Sequence, residues 1–180
     1  VRRSLNFGEP KFRLGIQCFV KKRLKSNVAE VWPSEGGFLW KFARKNGTEY
    51  GVLEDVRRAR KTFENFLAHK KIKINKIQSA LVPCGIVTGN ERVVLCGDAA
   101  GLTKPWSGGG IIWGLSAAKV LTDKFPNTRY YNSWIKRTFG LKILVSKLYS
   151  KLGPKFGNLG VRPERVNFDS DWGLKILKNN

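Results

Sequence analysis

The sequence predicts an α+β fold in which an antiparallel sheet is followed by a strand-helix segment and then by C-terminal helices. Three observations predict it. Residues 12–54 hold short alternating runs around an Asn-Gly pair; residues 54–72 and 128–152 carry apolar positions at helical spacing; and between them lies a neutral, glycine-rich stretch opened by an apolar run.

Taken in order, FRLGIQCFV (12–20) places Leu14, Ile16, Cys18 and Val20 on one face, the pattern of a half-buried strand. NVAEVW (27–32) reads as a second short strand. GGFLWKFARKNGTEYGVLE (36–54) sets Asn46-Gly47 between two strand-like runs, a strong local hairpin signal. From Glu54 to about Ile72, Val56, Ala59, Phe63, Phe66 and Leu67 predict a helix with a basic outer face. KIQSALVP (76–83) reads as a strand ending at Pro83, and Val93 to Cys96 as a short buried strand. A helix is expected from near Gly109 to about Thr122, where GLSAAKV offers small residues for close packing on a sheet, with Pro126 beyond its end. Tyr130, Trp134, Leu141, Val145, Leu148 and Leu152 form an apolar stripe interrupted by Gly140, which predicts one long or kinked helix, or two. Past Gly153 the chain reads as loop, with a last turn at LKILK. The segments group as 1–82, 83–126 and 127–180.

Composition bounds the function. Of 180 residues, 34 are Lys or Arg and 13 are Asp or Glu, a formal charge of +21, and 42% are hydrophobic, enough to build a core. No apolar run is long enough to span a membrane and the first residues lack the apolar core of a signal peptide, which predicts a cytoplasmic protein. Three widely spaced cysteines (Cys18, Cys84, Cys96) and one histidine (His69, among lysines) argue against a zinc site, a disulfide framework or a histidine-based catalytic unit. The chain has no methionine, so either an initiator was removed or this is a piece of a longer protein.

Charge and chemistry are segregated. Lys and Arg cluster at 21–25, 56–76 and 136–155, whereas residues 77–118 carry only Glu91, Arg92, Asp98 and Lys104, which sum to zero. The basic flanks suit an acidic partner: a phospholipid surface, nucleic acid or a phosphorylated substrate. The neutral centre, VVLCGDAAGLTKPWSGGGIIWGLSAAKV (93–120), suits a polar ligand. An aspartate after a strand can accept hydrogen bonds from a hydroxylated chain. Glycines 108 to 110 let a flat ring approach the backbone, and a helix N-terminus favours developing negative charge. Neither a P-loop nor a GxGxxG run is present.

GDAAG-LTKP-WSGGGI resembles the second flavin-binding motif of the FAD-dependent oxidoreductases related to aromatic hydroxylases. Within that group it is most similar to the geranylgeranyl reductases, especially the digeranylgeranylglycerophospholipid reductases. Val1-Arg2-Arg3 is similar to the Val-Arg that closes the preceding flavin motif. GGFLWKFARKNGTEYGV resembles the family's Tyr-x-Trp-x-Phe-Pro hairpin, with Phe38 and Ala43 at its Tyr and Pro, and Tyr131-x-x-Trp134 falls in the family's order. The resemblance implies FAD as cofactor, with Gly97, Asp98, Pro105, Gly108, Gly109, Gly110 and Ile111 on its ribityl and ring side, and Phe38, Trp40 and Phe42 lining an apolar channel for an isoprenoid lipid. It implies no metal, and no catalytic residue is assigned. The family's N-terminal half, which cradles the ADP part of FAD, has no counterpart, so the cofactor site is incomplete. The expectation is a C-terminal half that needs an N-terminal partner or missing half, peripheral on an anionic membrane. The alternatives are another flavoprotein such as a hydroxylase, halogenase or cyclase; an inactive remnant; or a basic nucleic-acid-binding protein, for which no recognised motif is present.

Overall fold

A computed structural model describes residues 2–22, 29–74, 76–105 and 107–156. The chain divides into two units, Phe12–Val82 and a second formed by Val1–Lys11 with Pro83–Asn180.

The first unit is a five-stranded sheet of order β2-β3-β4-β1-β5 covered by one helix. Its strands are β1 (Lys11–Val20), β2 (Glu30–Pro33), β3 (Phe38–Arg44), β4 (Gly47–Asp55) and β5 (Ile77–Cys84), and its helix is α1 (Ala59–His69). The β1/β4, β3/β4 and β2/β3 ladders are antiparallel. Alternation decides which residues meet. Ile16, Cys18, Leu39 and Val52 face Ala59, Phe63 and Leu67 of α1 and form the core, with Trp32, Tyr50 and Phe66 packed at its border. Burial pushes the Cys18 thiol up to about 11, with Glu49 adding to the rise against a hydrogen bond from Tyr50, so it is a core residue and no nucleophile at neutral pH.

Two sequence expectations shift here. The hairpin forms, but its two turn residues are Lys45 and Asn46, because Arg44 pairs with Gly47. Neither has a positive φ, as an Asn-Gly turn of type I′ requires. Gly47 is needed for another reason: a Cβ there would collide with the Val20 carbonyl on β1. The predicted helix from Glu54 starts five residues later, since Glu54 and Asp55 complete β4; Val56 is exposed. His69 ends α1, exposed.

The second unit is built from a 3-10 turn at Gly97–Ala100, helix α2 (Ile111–Lys124) and helix α3 (Thr128–Phe156), with a further 3-10 turn at Arg3–Leu5. Tyr131, Ile135, Phe139 and Ile143, four apart on α3, pack with Trp113 and Ala117 of α2 and with Val87, Leu95, Ala100 and Leu102. Phe139 lies 4.9 Å from Trp113 and 5.5 Å, edge-on, from Trp134.

The expected strand at Val93–Cys96 is extended at Cys96 and buried at Leu95, but it joins no ladder among the described residues. A short apolar run shows that a segment is buried and says nothing of a pairing neighbour. Here the Leu95 carbonyl is satisfied by the Tyr131 hydroxyl, at 3.0 Å. The helix expected from near Gly109 begins at Ile111, and its small residues pack on α3 and the Gly97–Ala100 turn in place of a sheet. Helix α3 runs through Gly140 as a single helix and continues past Gly153 to Phe156, where a loop was expected. LKILK lies outside the described residues.

Candidate functional site

The Gly97–Ala100 turn is held by backbone geometry that a side chain would oppose. Gly97 and Gly101 have φ of +56° and +68°, and a Cβ on Gly101 would also strike the Gly85 carbonyl. The Gly101 carbonyl accepts from Gly85 N and the Ala100 carbonyl from Val87 N. Arg2 Nη1 donates to the Asp98 and Ala99 carbonyls at 3.2 and 3.0 Å, bracing the turn from the chain's first residues. Thr103, fully buried, donates through Oγ1 to the Pro83 carbonyl and has the Cys84 thiol 3.3 Å from the same oxygen.

The glycine run forms a closed loop. Gly108 N donates to the Lys104 carbonyl and Lys104 N to the Gly109 carbonyl, at 2.9 and 3.0 Å. Pro105 is buried at the base, whereas Gly109 is exposed. Gly110 is the N-cap of α2 and sits on Thr103 and Asp98: a Cβ there would lie 2.9 Å from Thr103 Cγ2 and 3.1 Å from Asp98 Oδ1. The structure thus brings the exposed Asp98 carboxylate to the start of α2, against Gly110. Helix α2 has no side-chain cap and no acidic residue in its own first turn, so the anion at its N-terminus is the Asp98 carboxylate supplied by the preceding turn. Ile111, 78% exposed, follows at once, and Leu115, one turn on, is exposed on the same face.

Phe38, Trp40 and Phe42 lie in the other unit, on the face of β3 opposite Leu39 and the core. Their cross-strand partners on β4 are Leu53, Gly51 and Glu49. Phe38 and Trp40 stack at 5.7 Å, and the Trp40 indole lies across Gly51, where a Cβ would enter the ring. Trp40 Nε1 donates to Glu49 Oε1 at 3.0 Å, while Arg44 Nε donates to Glu49 Oε2 at 2.9 Å and its guanidinium covers the Phe42 ring at 4.5 Å. Glu49 is 3% exposed, so this carboxylate is fully committed to holding the aromatic row. Sequence reasoning missed it, although alternation from Phe42 across an antiparallel hairpin would have placed a carboxylate beside Trp40. It also missed Thr103 and Leu115, which no motif marks. Among the described residues no group of His, Cys, Asp and Glu could hold a metal, and no helix is long and apolar enough to cross a membrane.

The fold defined by these two units is shared with flavin-dependent enzymes. A tryptophan C-6 flavin-dependent halogenase from taromycin biosynthesis superposes with a TM-score of 0.56 over 81% of this chain and 32% of its own, at 14% identity. A flavin-dependent halogenase from Xanthomonas campestris gives 0.56 over 77% and 32%, at 12% identity, and a flavin-dependent brominase gives 0.55 over 88% and 50%, at 13% identity. Identities this low establish the α+β fold alone. In sequence, an uncharacterized protein of Methanocaldococcus jannaschii is 34% identical over 107 residues, 50% of this chain and 28% of that protein. No protein-family model matches the chain. The chain spans about a third to a half of the length of these structural neighbours and less than a third of the sequence relative.

Proposed function

We propose that this chain supplies the ribityl and ring side of an FAD site in an oxidoreductase that saturates isoprenoid double bonds of geranylgeranyl lipids. The observation that carries the reading is the Asp98 carboxylate beside the uncapped N-terminus of α2, across three consecutive glycines. The residues fit the group. Glycine at 110 lets the start of α2 pack directly on Thr103 and Asp98, Gly109 is exposed, and Ile111 and Leu115 offer an exposed apolar surface to a flat ring. Asp98 would accept hydrogen bonds from ribityl hydroxyls; Pro105 and Gly108 to Gly110 would back the ring; and the leading N–H groups of α2 would stabilise negative charge on its pyrimidine edge. When bound and reduced, FAD supplies a hydride.

The substrate class rests on the resemblance and on one structural feature that supports it. Trp40 has a single polar atom, and Glu49 already accepts its hydrogen. Phe38 and Trp40 offer apolar ring surface, with one face of Phe42 covered by Arg44, which suits a chain recognised by shape. A second reading, an aromatic-modifying enzyme of the halogenase kind, has the fold of the structural neighbours in its favour.

The test is the visible spectrum of the purified chain after addition of FAD and removal of unbound cofactor. Retained flavin absorption that Asp98→Ala abolishes is the expected result, and a colourless wild-type chain overturns the reading that this half holds FAD. Reoxidation of the reduced protein by a geranylgeranyl lipid, and not by tryptophan, separates the two substrate readings.

A further inference from the structure

Helix α3 has two apolar faces, and the second unit uses only one. Tyr131, Ile135, Phe139 and Ile143 are buried. On the adjoining arc, Leu141 and Leu144 are 68% and 65% exposed, and Val145 joins them at 40%. These three stand at i, i+3 and i+4, the spacing of one continuous stripe. The sequence carries the same spacing onward to Leu148 and Leu152, within the helical span that ends at Phe156. Isolated exposed leucines are ordinary on a protein surface, whereas a stripe at helical period is a surface with a partner.

The charge of the helix says what kind. Every charged residue of α3 is lysine or arginine; there is no aspartate or glutamate over its 29 residues. Lys136 and Arg137 are exposed, and helical geometry places Arg137 on the stripe's own arc, one turn before Leu141, with Lys136 to one side of it. An apolar stripe bordered by cations alone is the pattern of a helix lying in the plane of an anionic bilayer, its leucines among the acyl chains and its lysines at the phosphates. Nucleic acid would use the cations but leave the stripe without a role, since leucine has no ring face on which a base can stack.

We infer that α3 is a membrane-docking element, and that the Leu141–Leu144–Val145 stripe inserts into the surface of an anionic phospholipid bilayer. The inference stands apart from the flavin reading and uses none of its residues.

It is tested by sedimenting the full chain with vesicles of phosphatidylcholine alone or mixed with phosphatidylglycerol. Wild type should bind the mixed vesicles, and Leu141→Gln with Leu144→Gln should bind about tenfold more weakly, with unchanged helical circular dichroism. Glutamine keeps the net charge, so electrostatics alone predicts no loss. As a second measurement, an environment-sensitive fluorophore on Leu144→Cys should shift to the blue on the mixed vesicles. Equal binding by wild type and the glutamine variant, equal binding to neutral vesicles, or an unshifted fluorophore overturns the inference. So does a lipid-free dimer that the glutamine variant dissociates without any vesicle binding, which would make the stripe a contact between two copies.

Discussion

The two units treat their charged groups differently. In Phe12–Val82 the two buried carboxylates are answered within the unit: Glu49 is held by Trp40 and Arg44, and Glu54, 1% exposed, accepts from the Ser34 hydroxyl, from Gly36 N and Asp55 N, and from Arg58. In the second unit Ile111, Leu115, Leu141 and Leu144 remain exposed, and the extended Val93–Cys96 run lacks a ladder among the described residues. Apolar exposure does not separate the units, since Phe19, Val31 and Leu81 are exposed in the first; what separates them is the pair of buried, hydrogen-bonded carboxylates in the first and the extended run without a ladder in the second. Stability is therefore best sought where charges are buried and satisfied.

The sharpest way to break this comparison is to empty each core. Phe63→Ala and Phe139→Ala should each cost about 3–5 kcal/mol in chemical denaturation, because both rings are fully buried. A loss below about 1 kcal/mol at Phe139 would show that the second unit has no core of its own.

Glu54 gives the next largest effect and a pH signature. Burial alone would raise its pKa, but the hydrogen bonds from Ser34, Asp55 and Gly36 and the charge of Arg58 together hold it below the ordinary carboxylate value. A folded-state pKa below the unfolded one means stability that is complete above about pH 4.3 and is lost as the pH falls through the folded value. Glu54→Gln should cost about 2–3 kcal/mol at neutral pH and flatten the acid limb of the stability profile. An acid limb as steep in the variant as in wild type would assign it to other carboxylates.

Tyr131→Phe tests whether a single side chain stands in for the missing ladder at Leu95. It leaves that carbonyl unpaired and should cost about 1 kcal/mol by urea denaturation. The smallest effect on stability belongs to Ile111→Ser, within about 0.5 kcal/mol because the side chain is exposed. The same change should weaken flavin retention measured by absorbance, and unchanged retention would remove Ile111 from the proposed site.

Much of this architecture was legible beforehand. The alternation in 12–20, the runs around Asn46 and the helical spacing at Ala59, Phe63 and Leu67 each correspond to an observed element. What failed were boundaries and neighbours. Glu54 reads as a helix start by its flanking residues, yet the β1/β4 ladder extends through Asp55 and claims it. Gly47 reads as a turn residue, yet its smallness serves the approach of Val20 from a distant strand.

The candidate site divides the same way. Which residues could meet a ligand is readable locally, since Gly97, Asp98 and Gly108 to Gly110 are close along the chain and local backbone preference shapes them. Packing between distant segments sets Asp98 against Gly110, brings Arg2 to brace the turn from 96 residues away, and gives the one polar atom of Trp40 to Glu49. Periodicity reports which face a residue occupies, because it follows from the rise and twist of one element. Which partner fills that face is a property of packing between elements, and no local pattern encodes it.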